Sequence, residues 1–153
     1  KKKYKSIVYK RRLSLPEGLV SRSLSQDTPL PVSSQIGHEI AYFRSYYHPL
    51  IPTVFLSYQR EAFYAVDGGD FRVTFDNHIL YRQDQLSLCS EAYGIPILSP
   101  GQTLMEIKTS GGIPLWMVHT LTQHKIFKTS FSKYGMAYQH MTKQQLLGGL
   151  CYA

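Results

Sequence analysis

Apolar and polar residues alternate with a period of two in several segments of the chain, and this period is typical of β-strands. Residues 6–15 alternate cleanly except that Arg11 interrupts the apolar face, and they predict a strand. Further strands are predicted at residues 1–5, 79–82 and 128–138. The alternation is clearest in residues 54–64, 71–78 and 103–109. The first two of these are separated by Asp-Gly-Gly-Asp at positions 67–70, which favours a tight turn. They therefore predict a β-hairpin.

A first helix is predicted where the apolar spacing changes to three or four residues. Ser33 or Ser34 can cap this helix, which extends to about Tyr47. Residues 16–31 are polar and rich in Ser, Pro and Gly, with no usable periodicity. They predict an irregular connection between the first strands and this helix.

Two further helices are predicted in the second half of the chain. Pro114 suits the first turn of one of them, which follows the Gly-Gly corner at positions 111–112. Thr142 with Gln145 resembles a capping box and predicts the start of a short C-terminal helix.

Charged residues share one face of the predicted strands, and the opposite faces are mostly apolar. These charged residues are Lys10, Arg12, Arg60, Arg72, Glu106 and Lys108. A cavity lined with charge would show this pattern, and so would an ordinary antiparallel sheet with one face in water. From alternation alone the solvated face is the more common outcome, because lone charges on strands usually point to solvent.

The composition narrows the class of partner. The chain has 153 residues, a formal net charge of +7 and a pI near 9.4, so anions such as nucleic acid, phospholipid head groups or polyphosphates are favoured. No segment has the run of about 18 to 20 apolar residues that a membrane span needs. Cys89, Cys151 and the six histidines show no metal-ligand spacing. The sequence shows no recognisable Ser-His-Asp or Cys-His arrangement for nucleophilic catalysis.

Four segments, in this order and with fitting gaps, resemble the signatures of a known family. They read SYQREAF at 57–63, FRVTFD at 71–76, LMEIKTSGGIPLW at 104–116 and TSFSKYGMAY at 129–138. The opening KKKYKSIVYKRR is similar to the hairpin that precedes them in the family. On these motifs residues 1–153 resemble a single VTC-type polyphosphate polymerase domain of the triphosphate tunnel metalloenzyme, or CYTH-like, superfamily.

The resemblance implies an α+β fold in which antiparallel strands close into a β-barrel, the triphosphate tunnel, with helices packed on the outside. It implies a lining of substrate-binding residues at Lys10 and Arg12, or at one of these two, and at Tyr58, Arg60, Arg72, Ser132 and Lys133. Lys108 is added because it shares the strand face of Glu106. Arg60, Arg72 and Lys133 become the candidate catalytic residues, and Glu106 matches the metal-binding carboxylate.

Simpler roles compete with three of these assignments. Glu106 could form a structural ion pair with Lys108 or Arg72. Ser132 could be an ordinary hydroxyl in local structure. Tyr58 could serve only in packing.

The activity implied is transfer of the γ-phosphate of ATP or another nucleoside triphosphate to a growing polyphosphate chain, with Mn²⁺ or Mg²⁺ as the cofactor. A hydrolase of tripolyphosphate or nucleoside triphosphates and a non-catalytic polyphosphate-binding module are the alternatives. Nucleic acid is not an expected partner, because no RNP-like or KH-like motif is present. A cytoplasmic location is expected, with membrane association only through a partner.

The resemblance departs from the family pattern at the start of the chain. No counterpart of the family's first tunnel strands precedes Lys1. The tunnel is therefore expected to be open along one side unless a further segment or a second chain closes it.

Overall fold

The computed structural model of the protein describes residues 2–5 and 7–149. The chain forms two compact units, Lys1–Pro52 and Thr53–Ala153, which are described in turn. That residues 1–153 act as one functional domain stays a prediction.

The first unit contains a short hairpin and two helices. Its elements are β1 (Lys2–Tyr4), β2 (Ile7–Tyr9), α1 (Glu17–Ser25) and α2 (Gln35–Tyr46). β1 and β2 pair antiparallel, with Tyr4 opposite Ile7, so the predicted opening hairpin is confirmed. The predicted turn includes Ser6, which lies outside the described residues. The second strand ends at Tyr9 and does not continue to residue 15 as predicted.

Helix α1 occupies part of the segment that was predicted to be irregular. Pro16 precedes its first turn, where a fixed φ suits helix initiation. Glu17 lies at the positive end of the helix dipole and accepts a hydrogen bond from Ser21. The guanidinium of Arg44 in α2 donates to Ser23 Oγ at 2.8 Å and so joins the two helices. The small serines of α1 hide its helical periodicity in the sequence.

Helix α2 begins as predicted. Ser34 is its N-cap, and the Ser34 Oγ accepts a hydrogen bond from the Gly37 backbone N–H at 3.1 Å. The expected buried stripe is incomplete, because Phe43 and Tyr47 at its C-terminal end are about half exposed.

The second unit is built on an antiparallel sheet of four strands. Its elements are β3 (Phe55–Tyr64), β4 (Arg72–Arg82), β5 (Ile95–Pro96), β6 (Leu104–Lys108), α3 (Leu115–Gln123) and α4 (Lys133–Gly149). β4 is central, with β3 on one side and β5 and β6 on the other. The predicted hairpin of β3 and β4 is confirmed.

The prediction of a closed β-barrel is wrong for the described residues. A barrel requires its two outermost strands to hydrogen-bond to each other. Within residues 2–5 and 7–149, β3 and β6 each pair only with β4. The sheet is therefore open, and neither of its faces is an enclosed interior.

β4 is one strand where two were predicted. His78 has a positive φ of 50°, and the register with β3 shifts between Ser57 and Gln59. Two residues of β4 therefore lie opposite one of β3, which is a β-bulge. The bulge changes which residues face which side, so that Ile79 and Tyr81 share the face of the even-numbered residues before it.

The prediction of a strand at residues 128–138 is wrong. Residues 125–132 have no regular secondary structure, and α4 begins at Lys133. Thr142 lies inside α4, where its hydroxyl donates to the Tyr138 carbonyl at 3.0 Å, so it does not open a separate helix. Ala137 and Met141 are one helical turn apart and buried, a helical spacing that the alternation of the preceding residues obscured.

The core of the second unit lies between β4 and α4. It consists of Ile79, Tyr81, Ile97, Ala137 and Met141. Because Ile79 and Tyr81 are on the same face as Asp76, α4 covers one end of the face whose other end is charged. None of the described helices has both the length and the apolar character needed to cross a bilayer.

Candidate functional site

Three neighbouring strands bring the predicted charged residues onto one face of the sheet. In the register Arg60 is opposite Asp76, Glu106 is opposite Thr74, and Lys108 is opposite Arg72. Since side chains on one face recur every second residue, all of these point to the same side. The predicted shared face of Arg60, Arg72, Glu106 and Lys108 is therefore confirmed.

Asp76 lies at the centre of this face and is fully buried. Its carboxylate accepts hydrogen bonds from Arg60 Nε at 2.6 Å and from Arg60 Nη2 at 2.7 Å. The Lys133 Nζ lies 2.5 Å from Asp76 Oδ2. A single buried carboxylate therefore holds two cations, one from a strand and one from the start of α4.

The electrostatics of this group keep Asp76 ionised. Hydrogen bonding from Arg60 is the largest cause that holds the pKa of the Asp76 carboxyl below its ordinary value; burial opposes it, and Lys133 adds to it. The hydrogen bond to Asp76 likewise raises the pKa of the Arg60 guanidinium. With two cations against one anion, the group keeps a positive charge.

Glu106 is the second carboxylate on the face and is partly open to solvent. Its Oε1 lies 3.2 Å from Lys108 Nζ, and its Oε2 lies 3.7 Å from Arg60 Nη2. The alternative of an ion pair with Lys108 therefore describes the observed geometry, whereas the pair with Arg72 is not formed. At 41% side-chain exposure, Glu106 can still be reached by a ligand from solution.

The charged face has one accessible carboxylate that could take part in holding a divalent cation. Mg²⁺ is usually held by one or two carboxylates together with water and substrate phosphate oxygens. Glu106 offers one such carboxylate, because the carboxylate of Asp76 is already bound to Arg60 and Lys133. Within residues 2–5 and 7–149, no group of three or more His, Cys, Asp or Glu side chains could hold a metal ion.

Arg72 differs from Arg60 in having no carboxylate partner among the described residues. Its Nε is buried and makes no hydrogen bond within that part of the chain. The guanidinium lies 5.7 Å from the ring centroid of Tyr64. A buried cationic donor without an acceptor favours an anionic ligand at this position.

Tyr58 lies beside the two cations that Asp76 holds. Its ring centroid is 4.5 Å from Lys133 Nζ and 5.1 Å from the Arg60 guanidinium carbon. Both distances are within the range of cation–π attraction. Tyr58 therefore packs against the cations at the predicted site, and its direct contact with phosphate stays a prediction.

Ser132 and Lys133 lie at the start of α4, and the structure separates their roles. The Ser132 Oγ accepts a hydrogen bond from the Gly135 backbone N–H at 3.2 Å, which is the geometry of an N-cap. This is the local structural role that competes with phosphate binding at Ser132. Lys133 joins the charged face through Asp76.

Lys10 and Arg12 belong to the first unit. Both follow the end of β2 and are exposed. Their predicted part in binding substrate stays a prediction.

Sequence reasoning missed the role of Asp76. Asp76 follows Arg72 by four residues on β4 and therefore lies on the same face, and this spacing was the signal that could have found it. Arg82 was also missed: it is buried, and its guanidinium donates to the carbonyls of Asp84, Gln85, Glu91 and Tyr93. Because Arg82 follows the bulge, the face of β4 on which it lies is changed, and its side chain points to the loop that contains these four carbonyls.

Comparison with known proteins agrees with the motifs. No curated protein and no solved structure matches the chain. The family model of the VTC domain matches residues 1–142, which is nearly the whole chain and includes every residue of the charged face. The chain therefore belongs to the VTC domain family.

Proposed function

We propose that the chain is a polyphosphate polymerase domain that transfers the γ-phosphate of ATP or another nucleoside triphosphate to a growing polyphosphate chain. The observation that carries the proposal is Arg72, a half-buried cation without a carboxylate partner among the described residues. It shares a sheet face with Arg60, Lys133 and the accessible carboxylate of Glu106. Membership of the VTC family associates the chain with polyphosphate-related function.

The arrangement of cations suits a long anion. Polyphosphate carries repeated negative charge along its length, so it is bound best by cations placed at intervals. Arg72 and Asp76 are four residues apart on β4, which is about 13 Å along a strand. Cations at Arg72 and around Asp76 could therefore contact separate phosphates of one chain.

In the proposed reaction an oxygen of the terminal phosphate of the polyphosphate attacks the γ-phosphorus of the nucleoside triphosphate. The bond between this phosphorus and the β–γ bridging oxygen breaks, and the nucleoside diphosphate leaves with the electron pair. Phosphoryl transfer needs mainly positioning and neutralisation of charge, and no protein nucleophile. Arg60, Arg72 and Lys133 supply both.

Glu106 is the proposed ligand of Mg²⁺ or Mn²⁺. A divalent ion supplies neutralisation of phosphate oxygens when it is bound. Binding requires Glu106 to turn from Lys108 and Arg60, and its partial exposure permits this. Lys108 would then lose this carboxylate partner and could turn to the phosphate, whereas Arg60 would stay bound to Asp76.

The experiment is incubation of the protein with ATP and Mn²⁺, followed by gel electrophoresis for polyphosphate. Glu106→Gln tests the metal role, and Glu61→Gln is the matched control because Glu61 is exposed on the opposite face of β3. Long chains from the wild type and from Glu61→Gln, but not from Glu106→Gln, are expected.

Other products would identify the alternatives. Orthophosphate without chains would show a hydrolase, in which water replaces polyphosphate as the acceptor. If the wild type and both variants bind polyphosphate but do not turn over ATP, the chain is a binding module, and this would contradict the proposal.

Partners and location complete the proposal. ATP and polyphosphate are the proposed ligands, the proposed location is the cytoplasm, and membrane association is proposed only through a partner. That a further segment or a second chain lies along the open sheet stays a prediction.

A further inference from the structure

Asp76 and the two cations that it binds differ in how far their side chains are exposed to solvent. The Asp76 side chain has 0% exposure, whereas those of Lys133 and Arg60 have 18% and 31%. The carboxylate therefore lies beneath the two cations, and the cations lie between it and solvent. An anion that approaches this face meets the cations first.

Both cations keep donors that Asp76 does not use. A guanidinium has five N–H donors and an ammonium has three. Arg60 directs its Nε donor and one of the two Nη2 donors to Asp76, which leaves three N–H donors, two of them on Nη1. Lys133 directs its ammonium to Oδ2, and one such bond leaves two of its three donors. With these remaining donors, each of the two side chains can donate a hydrogen bond to a phosphate oxygen.

We propose that Asp76 is a positioning residue that holds Arg60 and Lys133 side by side so that both bind the same phosphate group of the substrate. The inference rests on the proposed function, because that function supplies the phosphate. Asp76 itself is buried and acts through the two cations.

The reason is the cost of bringing like charges together. Arg60 is on a strand and Lys133 begins a helix, and both side chains have many rotamers to lose on ordering. The buried carboxylate offsets their repulsion and fixes their heads before the anion binds. The Tyr58 ring lies within 5.1 Å of both cationic groups and restricts their movement on one side.

A purely structural role is the competing explanation, because the Asp76–Lys133 pair also ties α4 to the sheet. The two roles differ in one measurable respect. If Asp76 positions Lys133, the contribution of Lys133 to phosphate binding depends on Asp76. If Asp76 only stabilises the fold, Lys133 contributes equally with or without it in folded protein.

The test is calorimetric titration of the full chain with tripolyphosphate. The proteins are wild type, Lys133→Met, Asp76→Asn and the double variant. We expect Lys133→Met to lower affinity about tenfold in the wild-type background, as for loss of a charge-assisted hydrogen bond, and less than about threefold in the Asp76→Asn background. Equal losses in the two backgrounds would overturn the inference.

The matched control is Asp27→Asn, which breaks the ion pair of Asp27 with Arg44 in the first unit. In that background Lys133→Met should keep its tenfold loss. Thermal unfolding of each variant establishes that the titrated protein is folded.

If Asp76→Asn does not fold, a cycle of Arg60→Met and Lys133→Met in the otherwise wild-type chain gives the answer. Two cations on one phosphate predict a combined loss that departs from the product of the single losses by more than about threefold. A combined loss equal to that product would overturn the inference.

The outcome is separate from that of the proposed function. Coupled binding of tripolyphosphate without synthesis of polyphosphate from ATP supports the inference and rejects the polymerase. Synthesis of polyphosphate together with equal effects of Lys133→Met in the two backgrounds supports the polymerase and rejects the inference. A wild-type protein that binds no tripolyphosphate contradicts both the polymerase and the inference.

Discussion

Arg60 and Asp76 face each other across β3 and β4 and are joined by two hydrogen bonds, from Nε at 2.6 Å and from Nη2 at 2.7 Å. Arg72, four residues earlier on β4, has no such partner among the described residues. The two arginines were equivalent candidates in the sequence. Their surroundings differ: a buried carboxylate holds Arg60 in place, whereas Arg72 has no carboxylate partner among the described residues.

The first prediction concerns stability. Asp76→Ala should lower the free energy of unfolding by about 3 kcal/mol, because it removes the shared partner of two partly buried cations. Urea denaturation measures the change. Glu61→Ala, an exposed carboxylate on the other face of β3, should leave stability unchanged. Equal stability of the two variants would contradict the role of Asp76 as a stabilising partner of both cations.

The second prediction concerns pH. The folded-state pKa of Asp76 is depressed, so the unfolded chain takes up this proton at a higher pH than the folded chain does. The stability from Asp76 is thus fully present above the unfolded pKa of about 3.9 and is lost as pH falls through the lower folded pKa. Urea midpoints from about pH 7 downward should fall less for Asp76→Asn than for wild type below about pH 4. Parallel curves would exclude this contribution.

The third prediction compares two arginines of β4. Arg72→Met should weaken tripolyphosphate binding at least tenfold, or by about 1.4 kcal/mol or more, and should change stability by less than about 0.5 kcal/mol. Arg82→Met should instead destabilise the fold by about 2 kcal/mol, because it leaves the carbonyls of Asp84, Gln85, Glu91 and Tyr93 without this donor. Titration and urea denaturation distinguish the two. Loss of stability without loss of affinity in Arg72→Met would remove Arg72 from the site.

The fourth prediction separates two roles of Ser132. Ser132→Ala should cost about 1 kcal/mol of stability through loss of the cap on α4. Ser132→Asp should restore the cap, because Asp also accepts from the helix N-terminus, yet weaken tripolyphosphate binding through its charge. If Ser132→Ala lowers affinity and leaves the urea midpoint unchanged, Ser132 is a phosphate contact and not a cap.

Much of the candidate site could be predicted from the sequence, because strand alternation is a local property. The faces of β3, β4 and β6 followed from a period of two, and the family motifs lay on them in order. Lys133, which was selected by its motif, lies on the charged face through Asp76, although the element around it was predicted as a strand. Asp76 was on the correct face in the sequence, but nothing local showed that two cations would converge on it.

The sequence by itself determined the hairpin of β3 and β4, the cap of α2 at Ser34 and the shared face of Arg60, Arg72, Glu106 and Lys108. These depend on backbone periodicity and on hydrogen bonds between near neighbours. Only the tertiary structure decided that α4 is a helix, that the sheet is open and that Asp76 binds Arg60 and Lys133 together. These outcomes depend on contacts between residues far apart in the chain, in which burial and charge pairing outweigh local preference.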